Sequence, residues 1–488
     1  MKNRHHLIIV ICLVLLAAIL WIQGTEAQEQ GGWPSPARLS TDERTASEGY
    51  LVADQYGYVH VFWTEEIADQ RTIIQYSRFE GVTWSVPIDI RVTLPFRSIS
   101  NISPVVDRNG TLHIVWSESE SGPAFYTSAP AHDATSAQNW LQPSSLKVPA
   151  DRIYLQVDAR GFLHVLFVKF LGQEQGLYYI RSEDQGENWS DPLWLDPDIL
   201  VDHVPGGVNF KIDESGGLHA VWYYSPTNGS GGDWVRYIHS LDGGETWSRP
   251  FTIDRLNQAA VGNDYQLSAA GPVMAVQGQN VHIIWAGGKL NYRNYLLSTD
   301  AGETWSEPAR IFGNLNGQAG DGFAIDGAGR LHYFTQIRYP KGIYHAILED
   351  GQWSRPSLIY LIQTSPEDPM SNHIEAHNTY PAVRAGNQLV LTFADPPPVP
   401  ERRLFFMSYT LDDMVPSVTT PLPVALATLV PSSTLTPQLT PTATPLSFIG
   451  DPPVGGAPAP GSALWSGLVP TLLLTGCMII IRLLKTRH

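Results

Sequence analysis

One motif of about ten residues recurs seven times between positions 54 and 393, and this repetition constrains the fold more than any other feature of the chain. A representative copy reads Asp107-Arg108-Asn109-Gly110-Thr111-Leu112-His113-Ile114-Val115-Trp116. A glycine-containing turn joins the apolar run from Ile102 to Val106 to an alternating run, which is typical of a β-hairpin. The other six copies occupy residues 54–63, 158–167, 213–222, 277–285, 326–334 and 385–393.

Each hairpin is followed by two further segments with strand character. In the third copy these segments are Gly176 to Ile180 and Trp189 to Leu195. Four antiparallel strands in each repeat of roughly 50 residues make one blade of a propeller. Trp, Tyr, Gly and Pro are abundant (15, 20, 42 and 37 residues), which suits short strands and tight turns. The sequence therefore predicts an all-β fold, a seven-bladed β-propeller of four-stranded antiparallel blades over residues 30–413.

The turn between the third and fourth strands carries the most specific signal. Residues 182–189, 240–247 and 298–305 fit the pattern Ser-x-Asp-x-Gly-x-x-Trp. In such a turn the aspartate accepts backbone N–H bonds, the glycine adopts a positive φ and the tryptophan packs beneath. We expect a structural role for the twelve matching residues. They are Ser182, Asp184, Gly186, Trp189, Ser240, Asp242, Gly244, Trp247, Ser298, Asp300, Gly302 and Trp305.

The two ends of the repeat region complement each other. The last copy has a third strand, Leu404 to Tyr409, but no fourth strand before the composition changes. The segment Gly31 to Leu39 resembles the fourth-strand segment Gly302 to Ile311. We predict that the N-terminal strand completes the last blade, which leaves the ring without an open sheet edge.

The terminal segments predict export and attachment to a membrane. Residues 1–27 combine early basic residues, an apolar run and small residues before a cleavage site, as a signal peptide does; an uncleaved anchor is the alternative. Residues 414–461 are rich in Thr and Pro and predict an extended stalk. Residues 463–481 are uncharged and long enough to cross a lipid bilayer as a helix. The basic tail 482–488 then predicts a cytoplasmic C-terminus on a single-pass cell-membrane protein, with the propeller outside the cell.

Charge and cysteine content exclude some classes of function. The net charge of −16 disfavours contact with phosphate backbones, so no nucleic-acid partner is expected. The two cysteines, Cys12 and Cys477, lie in the terminal apolar segments. The repeat region therefore forms no disulfide and no cysteine metal site, and no cofactor is predicted.

Two groups of histidines have competing interpretations. Six copies carry a histidine at one strand position, and we favour inter-strand hydrogen bonding over a functional ring. His373, Glu375 and His377 would share a face of an extended segment, as metal ligands do. No further ligand is identifiable, so we expect a solvated loop and no metal. The six repeated histidines are His60, His113, His164, His219, His282 and His332.

The turn pattern resembles the Asp-box, or BNR, repeat of the sialidase-like β-propellers, over roughly residues 30–413. The resemblance implies that these turns lie on the periphery, away from the active site. It also implies, for a sialidase, a tyrosine nucleophile assisted by a glutamate, an aspartate that handles the proton and three arginines that hold the sugar carboxylate. The pair Arg152-Ile153 retains part of the family's Arg-Ile motif, without the aromatic residue before it and the proline after it. Arg97, Arg152 and Arg338 would form the carboxylate clamp.

The loops expected around the central channel hold the candidate ligand contacts. They carry mixed charges and aromatic groups, which suit contacts with a glycan or a peptide. We therefore predict a cell-surface propeller that binds an extracellular glycan or protein. An exo-α-sialidase-like glycoside hydrolase is the alternative, and a structural role at the envelope is the third interpretation. The candidate contacts are Arg97, Glu118, Arg152, Arg338, His377 and Tyr380.

Overall fold

The computed structural model describes most of the repeat region and little outside it. The predicted signal peptide, nearly all of the predicted stalk and the apolar segment 463–481 lie outside the described residues. Within the described part, no helix is both long and apolar enough to cross a membrane. The described residues are 32–41, 44–118, 122–170, 174–197, 202–227, 232–255, 267–289, 291–313, 315–339, 341–361, 379–394, 402–413 and 415–417.

The described strands form seven antiparallel sheets. Six sheets are built from strands that are consecutive in the chain, and the seventh also takes the N-terminal strand. The first strands of successive sheets contact each other, and the first strand of the last sheet contacts that of the first sheet. The fold is therefore an all-β, seven-bladed propeller of four-stranded blades, as the repeat predicts.

The strands are numbered in chain order, and β1 (Ala37–Arg38) belongs to blade 7. Blade 1 contains β2 (Tyr50–Ala53), β3 (Val59–Ile67), β4 (Arg71–Phe79) and β5 (Ile88–Val92). Blade 2 contains β6 (Ile99–Val106), β7 (Thr111–Glu118), β8 (Gly122–Pro130) and β9 (Ser144–Ala150). Blade 3 contains β10 (Arg152–Val157), β11 (Leu163–Lys169), β12 (Gly176–Ser182) and β13 (Leu193–Trp194). Blade 4 contains β14 (His203–Ile212), β15 (Leu218–Pro226), β16 (Trp234–Ser240) and β17 (Phe251–Arg255).

The remaining blades follow the same order. Blade 5 contains β18 (Leu267–Gln277), β19 (Asn280–Lys289), β20 (Tyr292–Ser298) and β21 (Ala309–Arg310). Blade 6 contains β22 (Asn316–Ile325), β23 (Leu331–Tyr339), β24 (Lys341–Glu349), β25 (Gln352–Trp353) and β26 (Ser357–Tyr360), and both β25 and β26 pair with β24. Blade 7 contains β27 (Tyr380–Arg384), β28 (Gln388–Ala394), β29 (Leu404–Thr410) and β1. Short 3-10 helices lie at Ala68–Gln70, Ala131–Asp133 and Ala137–Asn139.

The N-terminal strand closes the ring. In the antiparallel register, Ala37 lies opposite Phe406 and Arg38 opposite Phe405. Trp33, just before β1, is 5% exposed and stacks on Tyr409 with ring centroids 5.3 Å apart. The predicted closure of the last blade by the first strand is confirmed.

A chain of polar contacts recurs inside the blades. In blade 2, Asp107 Oδ1 accepts hydrogen bonds from the backbone N–H groups of Asn109 and Thr111, at 2.9 and 2.8 Å. His113 Nδ1 lies 2.7 Å from the Tyr126 hydroxyl on the next strand. The predicted inter-strand hydrogen bonding of the repeated histidines is confirmed. The equivalent pairs are His60 with Tyr76, His164 with Tyr179, His219 with Tyr237, His282 with Tyr295 and His332 with His345.

The turns between third and fourth strands join each blade to the one before it. In blade 5, the backbone N–H of Gly302 donates to Ser298 Oγ at 2.8 Å, and that hydroxyl donates to Asp300 at 2.8 Å. The turn sets Gly302 against Tyr237 of blade 4, and Trp305 meets the same tyrosine edge-on with ring centroids 4.8 Å apart. These contacts have a structural role. The assignment of the turns to the Asp-box repeat stays a prediction. The equivalent pairs are Gly186 with Tyr126 and Gly244 with Tyr179.

Burial of the repeated histidines makes stability depend on pH. Burial lowers the pKa of both His164 and His282 to about 4, so both are neutral in the folded protein at pH 7. Histidine in an unfolded chain titrates near pH 6.5. Between these two values the unfolded state binds more protons than the folded state. The free energy of unfolding should therefore fall, by ~1–3 kcal/mol per histidine, as the pH decreases from about 6.5 to about 4.

A pair of variants tests this dependence. His282→Gln should flatten part of the slope of unfolding free energy against pH, measured by urea denaturation at several pH values in this range. His132→Gln is the control, because 43% of the His132 side chain is exposed. An unchanged slope in His282→Gln would contradict the assignment of the pH dependence to the buried histidines.

Candidate functional site

The first strands of the seven blades enclose a cavity of about 590 Å³ at the centre of the ring. Strand register places residues of different blades at common levels in this cavity. Three first-strand tyrosines occupy the same register position. Each lies opposite the second-strand residue that comes two positions after the repeated histidine; in blade 7, Val390 takes the place of that histidine. The tyrosines are Tyr50, Tyr154 and Tyr380. The three tyrosines therefore share one level, and all three line the cavity.

Arg152 and Glu48 line the cavity one level above these tyrosines, since each precedes a tyrosine by two residues. At a rise of about 3.3 Å per residue, this level is roughly 7 Å nearer the mouth formed by the loops between blades. Glu48 Oε2 accepts a hydrogen bond from the Tyr380 hydroxyl at 3.1 Å. Arg152 Nη1 donates to the Asp151 carbonyl at 3.0 Å, and the guanidinium carbon lies 5.8 Å from the Phe170 ring centroid. Neither of these Arg152 contacts is with a carboxylate.

The charged and aromatic groups of this cluster influence each other's protonation. Burial raises the pKa of Tyr154 to about 12, and the charge of Arg152 opposes the shift. Burial, followed by the Glu48 carboxylate, raises the pKa of Tyr50, again against Arg152. Burial also raises the pKa of Tyr223, and the positive charge of Arg152 again opposes the shift. At neutral pH, Tyr50, Tyr154 and Tyr223 are therefore neutral phenols, which can donate hydrogen bonds, under the influence of the Arg152 charge.

The structure brings two of the six predicted ligand contacts, Arg152 and Tyr380, to the cavity. Arg97 lies on the loop between β5 and β6 and is not among the residues that line the cavity. Arg338 lies on β23, but its side chain is outside what the structure describes. His377 is outside the described residues altogether. Of the three arginines predicted to form the clamp, Arg152 is the one that lines the cavity among the described residues.

Glu118, another of the predicted ligand contacts, is buried between two blades. It ends β7, is 2% exposed and is not among the cavity-lining residues. Its Oε1 accepts hydrogen bonds from Arg91 Nε and Nη2 at 3.2 and 3.1 Å. Trp116 Nε1 donates to the same oxygen at 3.4 Å. Because Arg91 belongs to blade 1, the carboxylate joins two blades.

Sequence reasoning missed Tyr50, Tyr154 and Glu48 as cavity residues. A signal for the tyrosines exists, because each lies ten residues before the repeated histidine of its blade. Aligning the copies on that histidine would have identified the level that faces the cavity. Arg402, on the loop before β29, also lines the cavity and supplies a second guanidinium there.

The arrangement suits an anionic ligand more than a metal. Among the described residues, no three His, Cys, Asp or Glu side chains are placed to hold a metal ion. The candidate segment from His373 to His377 lies outside those residues. The cavity offers the Arg152 guanidinium, which can pair with a carboxylate or sulfate, together with aromatic faces and phenol donors.

Comparisons with known proteins establish the fold and no closer relationship. No protein-family model matches the sequence, and no curated protein matches it. One similar solved structure is an ulvan lyase of polysaccharide lyase family PL25 bound to -[GlcA(1-4)Rha3S]-, with 11% identity and a TM-score of 0.51 over 77% of this chain and 96% of that chain. At this identity the likeness shows a shared fold alone.

Two further solved structures have lower TM-scores. The polysaccharide lyase Uly1 has 10% identity and a TM-score of 0.49, over 74% of this chain and 90% of that chain. The NanB sialidase from Streptococcus pneumoniae has 12% identity and a TM-score of 0.40, over 78% of this chain and 71% of that chain. The structures that resemble this propeller thus include polysaccharide lyases and sialidases, proteins that act on glycans.

Proposed function

We propose that this protein is a cell-surface propeller whose central cavity binds an acidic glycan. The observation that carries the proposal is the position of Arg152 in the cavity, above a level of tyrosines. Within the described part of the chain Arg152 forms no ion pair, and its one hydrogen bond uses a backbone carbonyl. A guanidinium has five N–H donors in a fork that matches a carboxylate or a sulfate. Most of those donors are therefore available to a ligand.

The tyrosines supply the remaining features of a sugar site. The rings of Tyr50 and Tyr380 lie with centroids 4.7 Å apart and are inclined at 49°. Tyrosine combines a large apolar face with a hydroxyl, so it can pack on a sugar ring and bond to its hydroxyl groups. Concave sites that combine aromatic walls with a few convergent polar groups are the usual form of small-ligand sites.

The solved structure with the same fold supports an acidic ligand by analogy. The disaccharide named with that ulvan lyase contains glucuronic acid and a sulfated rhamnose. Both sugars carry the kind of anion that Arg152 suits. Because a shared fold does not transfer a function, glycans of this composition are the first to test.

The location at the cell surface rests on the terminal segments of the sequence. A signal peptide over 1–27 and a membrane span over 463–481 would display the propeller to the medium. Antibody raised against the propeller should label intact cells, and labelling only after permeabilisation would contradict the proposal.

Removing the Arg152 charge should weaken glycan binding. In calorimetric titrations of the purified full chain with oligosaccharides of -[GlcA(1-4)Rha3S]- repeats, Arg152→Ala should raise the dissociation constant ~10-fold or more, because it removes charge-assisted hydrogen bonds. Arg97→Ala is the matched control and should leave binding unchanged, since Arg97 does not line the cavity. Equal effects of the two substitutions would contradict a site in the cavity.

One contact favours a second function, glycoside hydrolysis of the sialidase type. The hydrogen bond from the Tyr380 hydroxyl to Glu48 Oε2, at 3.1 Å, pairs a tyrosine with a carboxylate in the cavity that Arg152 also lines. Retaining sialidases use a tyrosine nucleophile. Release of the fluorophore from a fluorogenic sialoside, lost in Tyr380→Phe, would support hydrolysis. Binding of acidic glycans without turnover would support the binding function alone.

A further inference from the structure

The lower half of the cavity has polar side chains at a level where most blades are apolar. This level consists of the first-strand residues that lie opposite the repeated histidines. Lys211 lies opposite His219, and Gln156 lies opposite His164 on the neighbouring blade. Both line the cavity. The corresponding residues of the other five blades are Val52, Val105, Ala275, Ala324 and Ala382.

These polar groups have no partners within the described part of the chain. Neither the Lys211 ammonium nor the Gln156 amide forms a hydrogen bond or ion pair with another described residue. One level higher on the same strand as Lys211, the amide oxygen of Asn209 is buried and also has no partner there. A buried polar atom is normally hydrogen-bonded. Asn209 Oδ1 is therefore a candidate ligand contact, and the half-buried Lys211 and Gln156 side chains line the same cavity without a partner among the described residues.

The charge at this place selects an anion. Burial lowers the pKa of Lys211, and no neighbouring carboxylate counteracts the shift. Burying a charge is unfavourable unless an opposite charge compensates it. A carboxylate or sulfate would supply that charge, while the Gln156 amide can donate N–H bonds to its oxygens and Asn209 Oδ1 can accept a bond from a hydroxyl of the same glycan.

The position of this level also fits an extended ligand. Gln156 follows Arg152 by four residues on the same strand, β10. At about 3.3 Å per residue, the two levels are roughly 13 Å apart. One monosaccharide anion could not reach both cations, whereas an oligosaccharide with two anionic groups could.

We infer that Lys211, with Gln156 and Asn209, forms a second anion subsite that takes a carboxylate or sulfate of the same glycan whose other acidic group is bound by Arg152. This inference rests on the proposed function and adds to it a ligand class, an oligosaccharide with at least two anionic groups that enters the channel end-on.

Lys211→Met tests the subsite, because it keeps the length of the side chain and removes its charge. Since five of the seven blades carry an apolar residue at this level, the variant should fold, and its thermal melting temperature should match that of the wild type. Its dissociation constant for an oligosaccharide of two -[GlcA(1-4)Rha3S]- repeats should rise about 10-fold. Lys147→Met, at an exposed position outside the cavity, is the matched control and should bind as the wild type does.

Two comparisons separate the proposals. If the wild type binds the oligosaccharide and Lys211→Met binds it equally well, the subsite is disproved while the proposed function stands. If the wild type binds no acidic oligosaccharide, the proposed function itself fails.

Inorganic sulfate distinguishes a free anion from a glycan anion. After reductive ¹³C-methylation of lysines, millimolar sulfate should shift the Lys211 signal, and the oligosaccharide should shift the same signal at lower concentration. A Lys211 signal that responds to sulfate and not to the oligosaccharide would assign the site to a free anion and overturn the inference.

Discussion

Gly302→Ala should destabilise the protein by about 2–5 kcal/mol, although it adds only one methyl group. Gly302 has a φ of +91°, a conformation that costs an L-residue about 1–2 kcal/mol. The new Cβ would also overlap the hydroxyl of Tyr237, a tyrosine held in place by His219 at 2.7 Å. Relieving that overlap has to separate blades 4 and 5 or break this hydrogen bond, and overpacking of this kind adds about 1–3 kcal/mol.

Gly216→Ala provides the control for this prediction. Gly216 has nearly the same φ, +90°, and a Cβ built there would have no heavy atom within 4 Å. It should cost only the conformational part, about 1–2 kcal/mol. Urea denaturation of both variants measures the difference, which we expect to be about 1–3 kcal/mol. Equal losses would contradict the role of the turn glycine in joining blades.

Arg293→Met should destabilise the protein by about 3–5 kcal/mol, because it leaves a buried carboxylate without its counter-charge. Arg293 is fully buried, and its Nε lies 2.9 Å from Asp321 Oδ2. The same guanidinium also donates to the Tyr333 hydroxyl at 3.1 Å and to the Gly317 carbonyl at 3.1 Å. It thereby joins blade 5 to the first two strands of blade 6.

The double variant Arg293→Met with Asp321→Asn should recover part of this loss, since it removes the stranded charge. Arg71→Met is the control, because the Arg71–Asp69 pair is partly exposed and 3.8 Å apart; it should cost less than about 1 kcal/mol. The test compares the free energies of unfolding of the wild type, Arg293→Met, Asp321→Asn and the double variant. Additive losses in the double variant would contradict a direct interaction of the two side chains.

The sequence was sufficient for the architecture because the determinants of a blade are local. The hairpin of each repeat and the Ser-x-Asp-x-Gly-x-x-Trp turn lie within about ten residues of chain. Even the long-range closure of the ring was predictable, because Gly31 to Leu39 resembles a fourth strand that blade 7 lacks.

The candidate site was less predictable because it depends on which residues meet across the ring. Glu118 carries a charge that could bind a ligand, but in the fold its carboxylate pairs with Arg91, 27 residues earlier. Lys211 is an unremarkable lysine in the sequence, and only strand register places it beside Gln156 in the cavity. Tyr50 and Tyr154 were recognisable in principle by their common distance from the repeated histidines, once those histidines are known to mark a structural level.

A crystal structure of the protein with an oligosaccharide of -[GlcA(1-4)Rha3S]- repeats would show directly whether the cavity binds an acidic glycan. We expect ligand density in the central cavity, with an acidic group within hydrogen-bond distance of the Arg152 guanidinium and a sugar ring against Tyr50 or Tyr380. Density confined to the outer strands of the blades, with the cavity unaltered, would contradict it.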